Sequence, residues 1–255
     1  MTDAVLVLAG SDPLGYSGLQ ADLRHLAHAG VAACGIPTAL TLQALDCVES
    51  ATSVAPAHVA RAIQLAFADG PVGAVKIGLV TERGVMEVIA SALRAAARPV
   101  VLDPVLVASA GAAFHAAGSR QALMDVLFPV TTLLTPNLPE LSALSGCPVD
   151  TPERMATAVQ QLLRHGPHLA VLVKAGHGVG SQVTDRLFHA GGVELFHAPR
   201  REGVMPRGTG CMLSTLAAAG LARGLDLVPA LRIAHTAVQE ALRSAMAHGE
   251  RRLAP

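Results

Sequence analysis

Apolar and polar positions along the chain follow two alternating patterns. Short, continuous apolar runs that end at glycine or at a polar residue are typical of strands covered on both faces. Segments with apolar residues at helical spacing lie between them. The pattern predicts strands at residues 5–9, 31–40, 74–80, 99–105, 131–135 and 170–174, and helices at 19–29, 56–69, 84–97, 121–128, from about 137, 151–164, 211–224 and 227–248.

Two late segments, 183–190 and 192–198, instead alternate around Gly191-Gly192 and predict an antiparallel hairpin. Repeated strand–helix units followed by a hairpin and two helices predict an α/β protein. We expect a three-layer α/β/α fold with a mostly parallel central sheet. Neither a Pro/Ser-rich linker nor an internal repeat divides the chain, so one domain over residues 1–255 is predicted.

Composition narrows the functional class. Half of the 255 residues are apolar but tryptophan is absent, so the core is expected to consist of Ala, Leu and Val. Lys+Arg and Asp+Glu balance at 19 each, which gives no electrostatic case for binding nucleic acid or an anionic membrane. Four scattered cysteines indicate neither a disulfide framework nor a zinc site. With no basic leader and no run of transmembrane length, a cytoplasmic protein is predicted.

The most informative stretch is Gly208-Thr209-Gly210-Cys211, which precedes a long Ala/Leu run. It predicts a tight turn that opens a helix, and we call it the glycine turn (residues 208–211). The first N–H groups of a helix have no intrahelical acceptor and lie at the positive end of its dipole. Gly208 and Gly210 remove side-chain bulk, so an anion could lie on these groups. An ordinary glycine-rich loop before a core helix fits the same sequence.

Polar residues near strand ends are further candidates. Asp103 ends a buried strand, where α/β sheets place catalytic or metal-facing groups. Lys174 is a plausible phosphate contact at the same edge. Gln43 has apolar neighbours, so its amide could pair with a heterocycle or cap nearby backbone. Asn137 and Glu140, three residues apart at a helix start, fit both a helix cap and a Mg²⁺ site.

Two charged residues fall inside predicted elements. Asp22 is placed in the first turn of a helix, where a carboxylate either complements the helix dipole or contacts a ligand. Lys76 interrupts an apolar strand, and a lysine there is expected at a face or edge that reaches solvent. The preceding loop, residues 10–18, has neither GxGxxG nor Walker A spacing, so dinucleotide or P-loop binding does not follow.

Eight ordered motifs together resemble one family, the hydroxymethylpyrimidine/phosphomethylpyrimidine kinases of thiamin biosynthesis, which belong to the ribokinase-like superfamily. The resemblance covers about residues 5–224. The motifs are Ala9-Gly10-Ser11-Asp12-Pro13, Gly18-Leu19-Gln20-Ala21-Asp22-Leu23, Thr38-Ala39-Leu40-Thr41 with Gln43, Val75-Lys76-Ile77-Gly78, Val101-Leu102-Asp103-Pro104-Val105, Leu134-Thr135-Pro136-Asn137-Leu138-Pro139-Glu140, Val173-Lys174 with Gly176-His177, and the glycine turn.

The resemblance implies ATP-dependent phosphorylation of 4-amino-5-hydroxymethyl-2-methylpyrimidine and then of its monophosphate, with Mg²⁺, in a homodimer. It implies a catalytic role for Cys211, Gly208 and Gly210. Because a thiol at a helix N-terminus is expected to have a lowered pKa, Cys211 could accept the substrate hydroxyl proton. The remaining implied roles are substrate binding by Gln43, Asp22, Ser17, Gly10, Leu79 and Val105, cofactor binding by Lys174, Asn137 and Thr209, and metal binding by Glu140 and Asp103.

Two departures from the family pattern leave alternatives open. Tyr16 stands in the loop that is usually small and glycine-rich, and Met205-Pro206-Arg207 replaces the usual residues before the glycine turn. We hypothesise that Arg207 favours a substrate that already bears phosphate. A pyridoxal-type kinase of the same superfamily and a catalytically weak pyrimidine-binding or regulatory protein are the alternative functions.

Overall fold

The computed structural model describes residues 4–44, 47–106, 118–176, 181–201, 203, 206–250 and 253. Within these residues, the strands form one sheet in the order β3-β2-β1-β4-β5-β6-β7-β8-β9. The strands are β1 (Ala4–Ser11), β2 (Ala33–Gln43), β3 (Val48–Ser53), β4 (Val72–Ile77), β5 (Val100–Leu102), β6 (Leu133–Leu134), β7 (Ala170–Val173), β8 (Gln182–His189) and β9 (Gly192–Pro199).

The helices agree with the predicted ones in number and order over the part of the chain that is described. The fourth is a single α-turn that continues as a π-helical turn, Leu123–Leu127, and a 3₁₀ turn, Phe128–Val130. The α-helices are α1 (Gly18–His28), α2 (Pro56–Asp69), α3 (Arg83–Ala96), α4 (Ser119–Ala122), α5 (Leu138–Ser145), α6 (Pro152–Leu163), α7 (Thr209–Ala222) and α8 (Leu227–Ala247).

Strand pairing confirms the predicted sheet. Strands β2, β1, β4, β5, β6 and β7 pair in parallel in that order, and β8 with β9 forms the antiparallel hairpin. The edge strand β3, antiparallel to β2, was not predicted. Its sequence, Val-Glu-Ser-Ala-Thr-Ser, contains one large apolar residue, and none of its residues is buried, so pairing with β2 rather than burial stabilises it.

Two apolar cores lie on opposite faces of the sheet. Alternating side chains of β1 serve both, with Leu6 and Leu8 in one core and Val5 and Val7 in the other. The first core packs against α2, α3, α5 and α6, and the second against α1, α7 and α8. Helices on both faces of a mostly parallel sheet confirm the three-layer α/β/α fold.

Parallel strands bring their carboxyl ends to one edge of the sheet. Gly10, Gln43, Asp103 and Lys174 therefore lie at or just beyond that edge, on β1, β2, β5 and β7. In open α/β sheets, ligands bind in the crevice outside these ends. Among the described residues, no helix has the length and apolar character needed to cross a membrane.

Candidate active site

The glycine turn opens α7 as predicted. Gly208 is the residue before the helix, with φ +93°, and a Cβ atom there would lie 2.5 Å from the carbonyl oxygen of Tyr16. A Cβ atom on Gly210 would lie 2.9 Å from Nζ of Lys174. Gly208 therefore requires glycine, and the absence of a side chain at Gly210 lets the Lys174 ammonium lie close to the turn. The N–H groups of the first turn, at Thr209 to Cys211, have no intrahelical acceptor. This geometry suits an anion next to Lys174.

Lys174 and Asp103 form an ion pair beside the glycine turn. Nζ of Lys174 donates to Oδ1 of Asp103 at 2.8 Å, and the two side chains are 15% and 5% exposed. The same oxygen accepts from Oγ1 of Thr135 at 3.0 Å. Burial opposes ionisation of Asp103, but together the ammonium groups of Lys174 and Lys76 hold its pKa below the ordinary value. Both groups of the pair are therefore ionised, and they lie beside the glycine turn at the ends of β5 and β7.

Asn137 and Glu140 form a complete capping box at the start of α5. Oδ1 of Asn137 accepts from the Glu140 N–H at 2.8 Å, and Oε2 of Glu140 accepts from the Asn137 N–H at 2.8 Å. The cap interpretation is confirmed. Burial raises the pKa of Glu140 to about 7, against the opposing effect of Lys174. Asn137 also pairs as a β-bridge with Lys174, which brings the cap to the ion pair.

The carboxylates of Asp103 and Glu140 have the donor chemistry that Mg²⁺ prefers. Both are buried, and both interact electrostatically with Lys174. The described chain contains no cluster of three or more His, Cys, Asp or Glu residues that could enclose a metal ion. Magnesium commonly takes one or two carboxylates and completes its shell with water and substrate phosphates. Asp103 and Glu140 therefore fit a Mg²⁺ ion whose remaining ligands would be water and the phosphate oxygens of a substrate.

Asp12 holds the loop 12–17 in place over the glycine turn. Its Oδ1 accepts from the Leu14 N–H at 3.0 Å, and its Oδ2 accepts from the N–H and hydroxyl of Ser17 at 2.9 and 3.2 Å. Gly18 follows with φ +63°, where a Cβ atom would lie 2.4 Å from the Gly10 carbonyl oxygen. Sequence reasoning did not single out Asp12, although a buried aspartate before a turn proline is a recognisable turn former.

Asp22 and Lys76 correct two expectations. Helix α1 begins at Gly18 and has no acidic residue in its first turn, so Asp22 does not complement the dipole there. Lys76 does not reach solvent: its Nζ lies 2.5 Å from Oδ2 of Asp22, and the side chains are 1% and 0% exposed. The second oxygen of Asp22 accepts from the Thr215 hydroxyl at 2.7 Å. Both carboxylate oxygens therefore have protein partners.

Cys211 corrects a third expectation. Its pKa is raised to about 11 rather than lowered, because burial has the largest effect on the thiol. The positive charge of Lys76 and the backbone N–H of Gly18 oppose this rise, while Asp22 and Asp103 add to it. The effect of the helix N-terminus on the thiol pKa is outweighed here by desolvation, which a local sequence motif does not reveal.

The residues expected to contact a substrate lie in a row at the ends of neighbouring strands. Gln43 is the last, half-buried residue of β2, and within the described chain its amide has no hydrogen-bond partner. Leu79 packs on Gly10, where a Cβ atom would lie 3.0 Å from Cδ2 of the leucine. Val105 follows Asp103 and donates its N–H to that residue's carbonyl oxygen at 2.9 Å. Met205 and His177 lie outside the described residues.

A model of the phosphomethylpyrimidine kinases matches residues 12–254 of the chain. The chain belongs to this kinase family. The family resemblance inferred from the eight motifs is thereby confirmed, as is the prediction of a phosphotransferase. A hydroxymethylpyrimidine/phosphomethylpyrimidine kinase of Rhizobium meliloti (strain 1021) is 37% identical over 246 residues, covering 96% of this chain and 92% of the relative.

Solved structures give the same picture of the kinase fold. Phosphomethylpyrimidine kinase from Clostridium difficile 630 superposes with a TM-score of 0.81 at 28% identity, covering 94% of this chain and 99% of the other. Pyridoxal kinase from Staphylococcus aureus, in complex with AMP-PCP and pyridoxal, has a TM-score of 0.85 at 24% identity, covering 95% and 88%. The second likeness extends to the fold alone, and both confirm the ribokinase-like architecture.

Proposed function

We propose that this kinase transfers phosphate from ATP to 4-amino-5-hydroxymethyl-2-methylpyrimidine, and then to the resulting monophosphate, to form the diphosphate used in thiamin biosynthesis. One domain, residues 1–255, would carry out both steps. The proposal rests on the glycine turn, which lies at the carboxyl ends of the parallel strands next to Lys174. The lysine is so close that a Cβ atom built on Gly210 would lie 2.9 Å from the Nζ atom of Lys174. The family and the curated relatives, named as kinases of these two substrates, support it.

Phosphoryl transfer requires alignment and charge neutralisation more than covalent chemistry by the protein. The N–H groups at Thr209, Gly210 and Cys211 would bind the transferring phosphate. Lys174 would supply positive charge, and its pairing with Asp103 holds the ammonium at the turn. Since Asp103 is buried and Lys174 is only 15% exposed, their field is stronger than in water.

Asp103 and Glu140 would hold Mg²⁺, with Asn137 ordering Glu140 through the capping box. Bound there, the metal would neutralise charge that develops on the phosphate oxygens. Burial raises the pKa of Glu140 to about 7 in the protein alone, so a nearby cation would favour its ionised form. Asn137, Thr209 and Lys174 are proposed to contact ATP.

The pyrimidine is proposed to lie across the ends of β1, β2, β4 and β5. The amide of Gln43 has both a donor and an acceptor, as does the amino-pyrimidine edge. Leu79 and Val105 would provide apolar contacts, with Gly10 and Ser17 beside the ring. Asp22 was expected to join them, but its oxygens bind Lys76 and Thr215, so we propose that it orders the pocket from behind.

Cys211 is the proposed proton acceptor for the substrate hydroxyl. As a thiolate, its sulfur would take the hydroxyl proton while the alcohol oxygen bonds to the γ-phosphorus of ATP and ADP leaves. A pKa of about 11 means that only a small fraction of the thiol is ionised at neutral pH in the protein alone. A homodimer, a cytoplasmic location and the absence of nucleic-acid partners stay predictions from the sequence.

The proposal is tested by ADP release with MgATP and one acceptor at a time. The acceptors are the pyrimidine alcohol, its monophosphate and pyridoxal, and a reaction without acceptor gives the background. We expect acceptor-dependent ADP release with both pyrimidines and a lower kcat/KM for pyridoxal. Preference for pyridoxal, or tight pyrimidine binding without ADP release, would refute it in favour of a pyridoxal kinase or a binding protein respectively.

A further inference from the structure

Lys76 is among the largest fully buried side chains in the described part of the chain, and it lies in the interior strand β4. Its ammonium group is held by Asp22. Gly78 leaves room for it, since a Cβ atom there would lie 3.0 Å from Nζ. With no access to solvent, the lysine charge acts on the groups that share the buried region, where the effective dielectric constant is low.

A contact between α1 and α7 places this charge beneath the glycine turn. The hydroxyl of Thr215 on α7 donates to Asp22 on α1 at 2.7 Å. Thr215 follows Cys211 by four residues, which is one turn along α7. Asp22 and its bound Lys76 therefore lie one turn below Cys211.

Four charged groups from different elements act on the Cys211 thiol. They are Lys76 on β4, Asp22 on α1, Asp103 after β5 and Lys174 after β7. Among the charges, Lys76 has the largest effect on Cys211, and it favours the ionised thiol. Lys174 binds Asp103 at the phosphate side of the turn, whereas Lys76 and Asp22 form their ion pair beneath it.

We propose that Lys76 is a positioning residue that stabilises the thiolate form of Cys211, with Asp22 and Thr215 fixing its ammonium group beneath α7. This inference rests on the proposed role of Cys211, because a proton acceptor must reach its anionic form. Lys76 itself does not contact the substrate. Its effect is on the charge of the thiol, which is measurable without any turnover.

The test measures ionisation of Cys211 in the whole protein. Iodoacetamide alkylation is followed over a pH series by mass spectrometry of the Cys211 peptide, and the Cys147 peptide in the same digest serves as an internal reference. We expect Lys76→Met to raise the Cys211 pKa by about 1 unit and Asp22→Asn to lower it. A packing defect that only exposes the thiol would shift both variants in the same direction.

Should Lys76→Met fail to fold, the double variant Asp22→Asn/Lys76→Met removes both charges and leaves neither unpaired. Its Cys211 is expected to alkylate more slowly than the wild-type thiol at each pH below the pKa. Unchanged ionisation in the folded variant, or shifts of equal sign in the two single variants, would overturn the inference. Cys211→Ser tests the proposed base separately: undiminished turnover would contradict that role and leave the Lys76 effect on ionisation intact.

Discussion

The carbonyl oxygen of Tyr16 lies 2.5 Å from the position that a Cβ atom on Gly208 would take. Loop 12–17 is therefore in direct contact with the glycine turn, although the two are far apart in sequence. Gly208 also has φ +93°, a conformation that L side chains rarely adopt. Any side chain at this position must displace either the loop or the start of α7.

We therefore expect Gly208→Ala to lower the free energy of unfolding by about 2–4 kcal/mol, from the unfavourable φ and the clash together. Turnover should fall because the N–H groups of the turn move. Gly224→Ala is the matched control, since Gly224 has φ +78° but open space around it. This variant should lower the free energy of unfolding by only about 1–2 kcal/mol and leave turnover normal. Urea unfolding and ADP release measure both effects, and equal results for the two variants would contradict the contact.

His25 should make stability depend on pH. Burial lowers its pKa to about 4 from 6.5 in the folded protein, and neither ring nitrogen has a hydrogen-bond partner within the described chain. As pH falls below about 6.5, His25 is protonated in the unfolded chain, whereas in the folded protein it stays neutral until about pH 4. The free energy of unfolding should therefore fall by up to about 3 kcal/mol between these two pH values.

In His25→Leu this part of the pH dependence should disappear, as measured by urea unfolding at several pH values. His28→Leu, at an exposed position of the same helix, is the control and should retain it. A His25→Leu protein with the full wild-type loss of stability below pH 6.5 would show that other groups cause it.

The kinase rate should rise with pH because Cys211 must ionise to accept a proton. With a thiol pKa of about 11, the thiolate fraction grows about tenfold per pH unit below that value, and kcat should follow it until another step limits turnover. Cys211→Ser should remove this dependence, whereas Cys147→Ser should keep it. A wild-type rate that is flat with pH would argue against Cys211 as the base.

Arg207 precedes the glycine turn, and we expect it to favour the phosphorylated substrate. The measurement is the ratio of kcat/KM for the pyrimidine monophosphate to that for the alcohol. Arg207→Ala should lower this ratio several-fold by weakening the monophosphate reaction alone. The exposed Arg154→Ala, whose partner Asp150 is equally exposed, should leave it unchanged. An unchanged ratio in Arg207→Ala would eliminate the hypothesis.

Sequence patterns predicted the helices and most strands because their apolar residues are buried at regular spacing. They missed β3, whose stability comes from pairing at the sheet edge. They located the glycine turn, Asp103, Lys174 and the Asn137–Glu140 cap, because local motifs and strand ends mark these positions. They misplaced Lys76 and Asp22, since an ion pair between residues 54 apart in sequence has no local signal. The raised pKa of Cys211 was likewise missed, because burial depends on the whole fold.

The most direct test of phosphoryl transfer at the glycine turn is product formation from ATP and the pyrimidine alcohol, followed by ³¹P NMR. The wild-type protein should form the monophosphate and then the diphosphate. Lys174→Met should slow both steps roughly a hundred- to a thousand-fold, while Arg154→Met should turn over normally. No phosphate ester from the wild-type protein, or a wild-type rate in Lys174→Met, would contradict the account.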